Sequence, residues 1–190
     1  YPLFIALGIA SAIFGGLPVF LIYALTALLH ECGHIFCASR MGYMCEKISL
    51  MPYGAAASCD TEGISPLDEI KLAVSGPLVN ALICTACAGL WWFFPETYAF
   101  TDTVFSASAL MFLINVLPAY PLDGGRVARC LLVMIMPRKA AAITLRVMSG
   151  VLAVAFVLIF FFAFKNLSLL TFAGFLLFSA FEKEPLLTRI

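Results

Sequence analysis

Leu28-Leu29-His30-Glu31-Cys32-Gly33-His34 decides how this chain is read. His30 and His34 are four residues apart, so on a helix they share one face, one turn apart. Two imidazole nitrogens presented this way can ligate Zn²⁺. Glu31, between them, is placed to take a proton from a metal-bound water. The surroundings sharpen the pattern. No Asp, Glu, Lys, Arg or His precedes His30, the next charge after the motif is Arg40, and the chain has only these two histidines. Three ionisable groups in hydrocarbon would each cost roughly 2.5 kcal/mol or more without a partner or a wet cavity. Metal ligation offsets that cost; an ordinary pair of polar histidines does not.

Composition sets the environment. The chain is 63% hydrophobic and 12% charged, where a soluble domain is about 25% charged. A mean hydropathy of +1.05 fits a polytopic membrane protein. The formal net charge of zero leaves no basic footprint for nucleic acid. Seven cysteines, an odd number mostly in apolar stretches, read as buried free thiols rather than a disulfide framework.

Outward from the motif, Gly15-Gly16-Leu17-Pro18 separates a short helix near 3–15 from a second, near 18–39, that carries both histidines. Uncharged runs predict further spans near 72–95, 103–122, 147–164 and 167–181, with a shorter helix over 124–136. Between the second and third spans, Ile48-Ser49-Leu50-Met51-Pro52-Tyr53-Gly54 begins with alternation and ends in turn residues. The expected fold is therefore an all-α polytopic membrane protein of about six transmembrane helices. A short re-entrant or β-like loop, about 45–58, follows the second, and residues 1–190 form one membrane-embedded domain. With these spans, every basic residue except Lys165 falls on the side where the chain begins. By the positive-inside bias, both termini are cytoplasmic.

A catalytic zinc site usually has three protein ligands and an open position. No third histidine exists, so the remaining ligand must be a carboxylate or a thiolate. Asp123 is the best placed, in Leu117-Pro118-Ala119-Tyr120-Pro121-Leu122-Asp123-Gly124-Gly125-Arg126, directly after the fourth span and toward the same membrane face as His34. The prolines prevent regular helix there, and the glycines let backbone approach closely. Two alternatives stay open: Asp123 as the N-cap of the following helix, and Cys37 as a thiolate ligand one turn past His34. Asp60, Asp68 and Glu69 lie in a polar loop context and read as solvated.

Taken together, His30-Glu31-Cys32-Gly33-His34, Ser75-Gly76-Pro77-Leu78-Val79-Asn80, Asn115-Val116-Leu117-Pro118 and Pro121-Leu122-Asp123-Gly124-Gly125-Arg126 resemble the site-2 protease family of intramembrane zinc metalloproteases. The compact plan, with no PDZ insertion, is most similar to the stage IV sporulation protein FB subfamily, which often carries a C-terminal CBS domain; none is expected within these 190 residues. The resemblance implies a zinc metalloendopeptidase that holds one Zn²⁺ through His30, His34 and Asp123, with Glu31 as general base. It further implies a multi-pass protein of a bacterial cell membrane, cutting a membrane-associated protein substrate near the cytoplasmic side. By analogy the substrate would be a sporulation sigma-factor precursor, with inhibitory membrane proteins as partners.

An extended substrate needs a pairing edge, and the 45–58 segment is the candidate, with Tyr53 and Gly54 at its turn. Asn115 and Asn80 are candidates to hydrogen-bond substrate backbone; the alternative is a cap or an interhelical hydrogen bond, the preferred reading for Asn80. The competing reading is a zinc-binding membrane transporter that uses the same three ligands as a transit site. Against it, the third, fifth and sixth spans carry no ionisable residues, and Glu31 would have no task.

Overall fold

The computed structural model describes residues 2–51, 54–59, 63–164 and 172–178. Helix α1, Pro2–Ile13, runs to the Gly15-Gly16 turn, where Gly15 has a positive φ of 76°. Pro18, in the first turn of α2 (Leu17–Arg40), lacks only an N–H that the helix start would leave unpaired anyway. Strands β1 (Cys45–Met51) and β2 (Gly54–Cys59) pair antiparallel, Ile48 opposite Ala57 and Leu50 opposite Ala55. Then come α3 (Pro66–Phe93), a 3₁₀ turn at Pro95–Thr97, α4 (Tyr98–Val116), α5 (Asp123–Ile135) and α6 (Arg138–Ile159). A π-helical turn, Phe160–Phe164, extends α6, and residues 172–178 are helical.

Four helical stretches among the described residues are long and apolar enough to cross a bilayer: Leu17–Arg40, Pro66–Phe93, Pro95–Val116 and Arg138–Phe162. The 24 residues of α2 rise about 36 Å, more than the roughly 30 Å of hydrocarbon in a bilayer. Each of these stretches exposes large apolar side chains, such as Phe36, Leu82, Leu113 and Val151, a surface suited to lipid. The protein is a helical membrane protein. Of the six expected spans, the first corresponds to the 12-residue α1, too short to cross at helical rise, and of the last only 172–178 are described.

Helix boundaries differ from those expected in one consistent way. α3 begins at Pro66 rather than 72 and α6 at Arg138 rather than 147, so each includes a charged, polar first turn. A helix continues past its apolar run whenever its Lys, Arg and Glu side chains can reach water or a partner. The fourth span starts earlier too, at Tyr98, and stops at Val116, before the prolines.

The chain divides into two compact units, Tyr1–Thr61 with Val74–Ile114, and Glu62–Ala73 with Asn115–Ile190. In the first, α2 packs against the hairpin and buries one stripe, Thr26, Ala27, His30, Gly33, His34 and Ala38, at helical spacing. Gly33 makes close approach to α3 possible, since a Cβ there would stand 2.7 Å from the Ser75 carbonyl oxygen and 2.8 Å from Val79 Cγ2. Small residues at such contacts are the usual way membrane helices pack. Farther along, Trp91 Nε1 donates to Thr101 Oγ1 at 2.7 Å and its ring packs on Phe105, tying α3 to α4.

In the second unit, the segment between α4 and α5 is held without helix. Ser149 Oγ accepts the Tyr120 N–H at 3.0 Å and donates to the Leu145 carbonyl. The Tyr120–Pro121 bond is cis. Tyr120 also packs on the buried pair Ala142 and Leu145. At the start of α5, a Cβ on Gly124 would overlap the Val116 and Leu117 carbonyls, and one on Gly125 would overlap Ala119. Only glycine fits at either position.

Candidate metal centre

The two histidines of α2 are buried, with 3% and 6% of their surface exposed. Their Nε2 atoms stand 3.2 Å apart and their rings meet edge to face. A tetrahedral ion about 2.05 Å from each nitrogen would separate them by about 3.3 Å. The opposite nitrogens are engaged by α3: His30 Nδ1 lies 2.6 Å from Asn80 Oδ1, and His34 Nδ1 lies 3.3 Å from Ser75 Oγ. Between those two partners sits Gly76, where a Cβ would overlap both Nε2 atoms. The glycine therefore clears the space that the ligating nitrogens face. These features fit a zinc ion: two imidazole nitrogens converge, and the outer nitrogens of both rings are held by polar partners. Glu31, on the same helix and three residues from His34, is half-buried.

Asp123 is the first residue of α5 and is buried. It does not cap that helix: the cap position is Leu122, and no side chain makes a cap hydrogen bond there. The N-cap alternative is thereby removed. Instead, Arg126 NH1 lies 3.6 Å from Asp123 Oδ1, while Arg126 Nε donates to Glu69 Oε1 at 3.0 Å. Arg129 NH2 stands 3.6 Å from the same Glu69 oxygen. Burial works against the Arg126 charge, but the charge and hydrogen bond of Glu69, with the Asp123 charge, outweigh it and hold the guanidinium above the usual arginine value.

Glu69 corrects the reading of that carboxylate as solvated. It is only 4% exposed, because the first turns of α3 form part of the unit that contains α5. Asp68 behaves as expected, facing outward with Lys71 at 2.8 Å. Cys37 is a half-buried free thiol. Asn115 lies half-buried in the last turn of α4, and Gly54 opens β2. Tyr53 lies outside the described residues. Ser75, Gly76 and Glu69 were missed as parts of the centre. For the first two the signal was present in Ser75-Gly76-Pro77-Leu78-Val79-Asn80, a small-residue patch with polar ends in an apolar span.

Comparison with known proteins shows what the chain is similar to. Residues 18–107, which include α2, the hairpin, α3 and part of α4, match the model of Peptidase family M50. That stretch of the chain is similar to Peptidase family M50. Among its relatives, a zinc metalloprotease of Methanocaldococcus jannaschii is 32% identical over 117 residues, 60% of this chain and 34% of that protein. Stage IV sporulation protein FB of Bacillus subtilis is 28% identical over 127 residues, 64% of this chain and 41% of that protein. The chain thus spans well under half the length of these two M50 relatives. The solved site-2 protease from M. jannaschii superposes with a TM-score of 0.67 at 26% identity, covering 93% of this chain and 82% of that one. The site-2 protease resemblance and the helical membrane fold are borne out, and the M. jannaschii relative is a zinc metalloprotease by name. Nothing in these likenesses favours a transporter.

Proposed function

We propose that this chain is the catalytic part of an intramembrane zinc metalloprotease that hydrolyses a peptide bond of a membrane-associated protein. The observation that carries the reading is the facing pair of buried Nε2 atoms, 3.2 Å apart, with both outer nitrogens held by α3. The M50 match supports it. His30, His34 and Asp123 are the proposed ligands of one zinc ion. Zinc, when bound, supplies a Lewis acid that polarises the scissile carbonyl and brings the pKa of water to about 7. Glu31 takes the proton of the attacking water and delivers it to the leaving amine nitrogen.

The substrate must be extended to be cut. The β1–β2 hairpin offers the edge for this, since a two-stranded sheet leaves one side of each strand without a partner strand. Gly54, and Tyr53 beside it, would meet the substrate at the hairpin turn. Asn115 and Asn80 would bond its backbone; among the described residues Asn80 Nδ2 is a buried donor with no hydrogen-bond partner, which suits a peptide carbonyl. The remaining expectations stand with this proposal: residues 1–190 working as one membrane-embedded domain, a bacterial cell membrane with both termini cytoplasmic, and a sporulation sigma-factor precursor controlled by inhibitory membrane partners. Purified Glu31→Gln protein tests the core of it. It should retain one zinc per chain and lose cleavage of a transmembrane substrate; cleavage at the wild-type rate would end the assignment.

A further inference from the structure

Asn80 is fully buried, and its Oδ1 lies 2.6 Å from His30 Nδ1. An amide oxygen only accepts, so the hydrogen of this bond belongs to Nδ1, and His30 Nε2 is left with its lone pair. That arrangement has a competitor within the site. The His30 and His34 Nε2 atoms are 3.2 Å apart, close enough for one imidazole to donate to the other. A proton on His30 Nε2 would make that bond and occupy the nitrogen that should meet a metal.

We propose that Asn80 is a positioning residue for the metal, holding the His30 proton on Nδ1 so that His30 Nε2 keeps its lone pair for a metal and cannot donate to His34 across the site. The inference rests on the zinc reading above and adds to it a role for α3. Burial gives the contact its weight: His30 is 3% exposed, so water offers no easy substitute acceptor for Nδ1–H. Removal of Oδ1 leaves that donor unpaired, and the proton's best remaining location is Nε2, facing His34. Ser75 cannot enforce a tautomer equally well, because its hydroxyl both donates and accepts and lies at a longer 3.3 Å from His34 Nδ1.

The test uses the whole chain in detergent micelles. Two histidines give only two ring systems, so ¹⁵N–¹H long-range spectra of metal-free protein, at mildly alkaline pH where imidazole is neutral, assign each tautomer directly. Zinc affinity is measured alongside by competition with a chromophoric chelator. Wild type should show His30 protonated at Nδ1. Asn80→Leu should move the proton to Nε2 and weaken zinc binding roughly 10- to 100-fold, the usual consequence of losing such a partner. Asn80→Asp, which keeps an acceptor oxygen, should retain the wild-type tautomer and bind zinc within a few-fold of wild type. Ser108→Ala, which alters a buried hydroxyl elsewhere in the first unit, should change neither readout.

An Nε2–H tautomer at His30 in the wild type, or unchanged zinc affinity in Asn80→Leu, overturns the inference. If Asn80→Leu fails to fold, Asn80→Asp still decides, because loss of the Nδ1–H tautomer there also overturns it. A wild-type chain that binds no zinc refutes the metalloprotease reading instead. The spectra then still decide whether Asn80 holds the His30 proton.

Discussion

The imidazole pair on α2 and the carboxylate at the head of α5 are supported by different chemistry. His30 and His34 meet neutral partners, the Asn80 amide and the Ser75 hydroxyl, both from the middle of a membrane-spanning helix. Asp123 meets a charge network, Arg126 and behind it Glu69 and Arg129. The difference follows from what each donor must be in order to bind a metal. An imidazole must be neutral with one nitrogen bare, which a hydrogen-bond acceptor on its other nitrogen enforces. A carboxylate must be ionised, which a guanidinium favours even where burial opposes it. The location of each support also fits its chemistry. Buried charge is tolerated at the polar first turns of α3 and α5, whereas in the apolar middle of α3 an uncharged amide costs far less.

The contrast can be broken at several points. The largest effect belongs to Gly76→Ala, whose Cβ would overlap both Nε2 atoms. Zinc affinity should fall by more than about a hundredfold, because the ligating nitrogens are displaced rather than merely loosened. Affinity within tenfold of wild type would show that the imidazoles do not converge against α3. Next is Glu69→Leu, which leaves the Arg126 and Arg129 cations without their shared acceptor. Unfolding in detergent should show a loss of about 3 kcal/mol, and adding Arg126→Met should recover most of it. A loss below about 0.5 kcal/mol would mean that the network behaves as an exposed ion pair. Ser75→Ala should have the smallest effect, a few-fold weakening of zinc binding measured by the same chelator competition, given the longer contact and adaptable hydroxyl. A Ser75→Ala defect larger than that of Asn80→Leu would invert the proposed hierarchy.

The sequence made the imidazole half readable, because four-residue spacing on a helix is a local property of His30 and His34. Local rules also placed the break at Gly15-Gly16 and the unwound stretch at Pro118 and Pro121. Glu69 was not readable in the same way. Its acceptor role depends on Arg126, 57 residues away, and nothing near Asp68-Glu69 distinguishes a buried carboxylate from a solvated one. The starts of α3 and α6 were set too late for a related reason: an apolar run marks where a helix is surrounded by lipid, not where its hydrogen bonding begins. Asn80 was legible as a polar residue in an apolar span, suited to an interhelical hydrogen bond or a substrate contact, but its partner was not. Its bond to His30 joins two helices and leaves no trace in residue spacing.

The central claim is that the imidazoles of α2 and the carboxylate of α5 hold one metal ion between them. Zinc X-ray absorption on purified wild type and Asp123→Ala tests it most directly. The account predicts one zinc per chain in the wild type, bound by two imidazole nitrogens and a carboxylate oxygen at about 2.0–2.2 Å. In Asp123→Ala it predicts loss of the carboxylate signal and weaker retention of the metal. An unchanged zinc spectrum and stoichiometry in Asp123→Ala would contradict it.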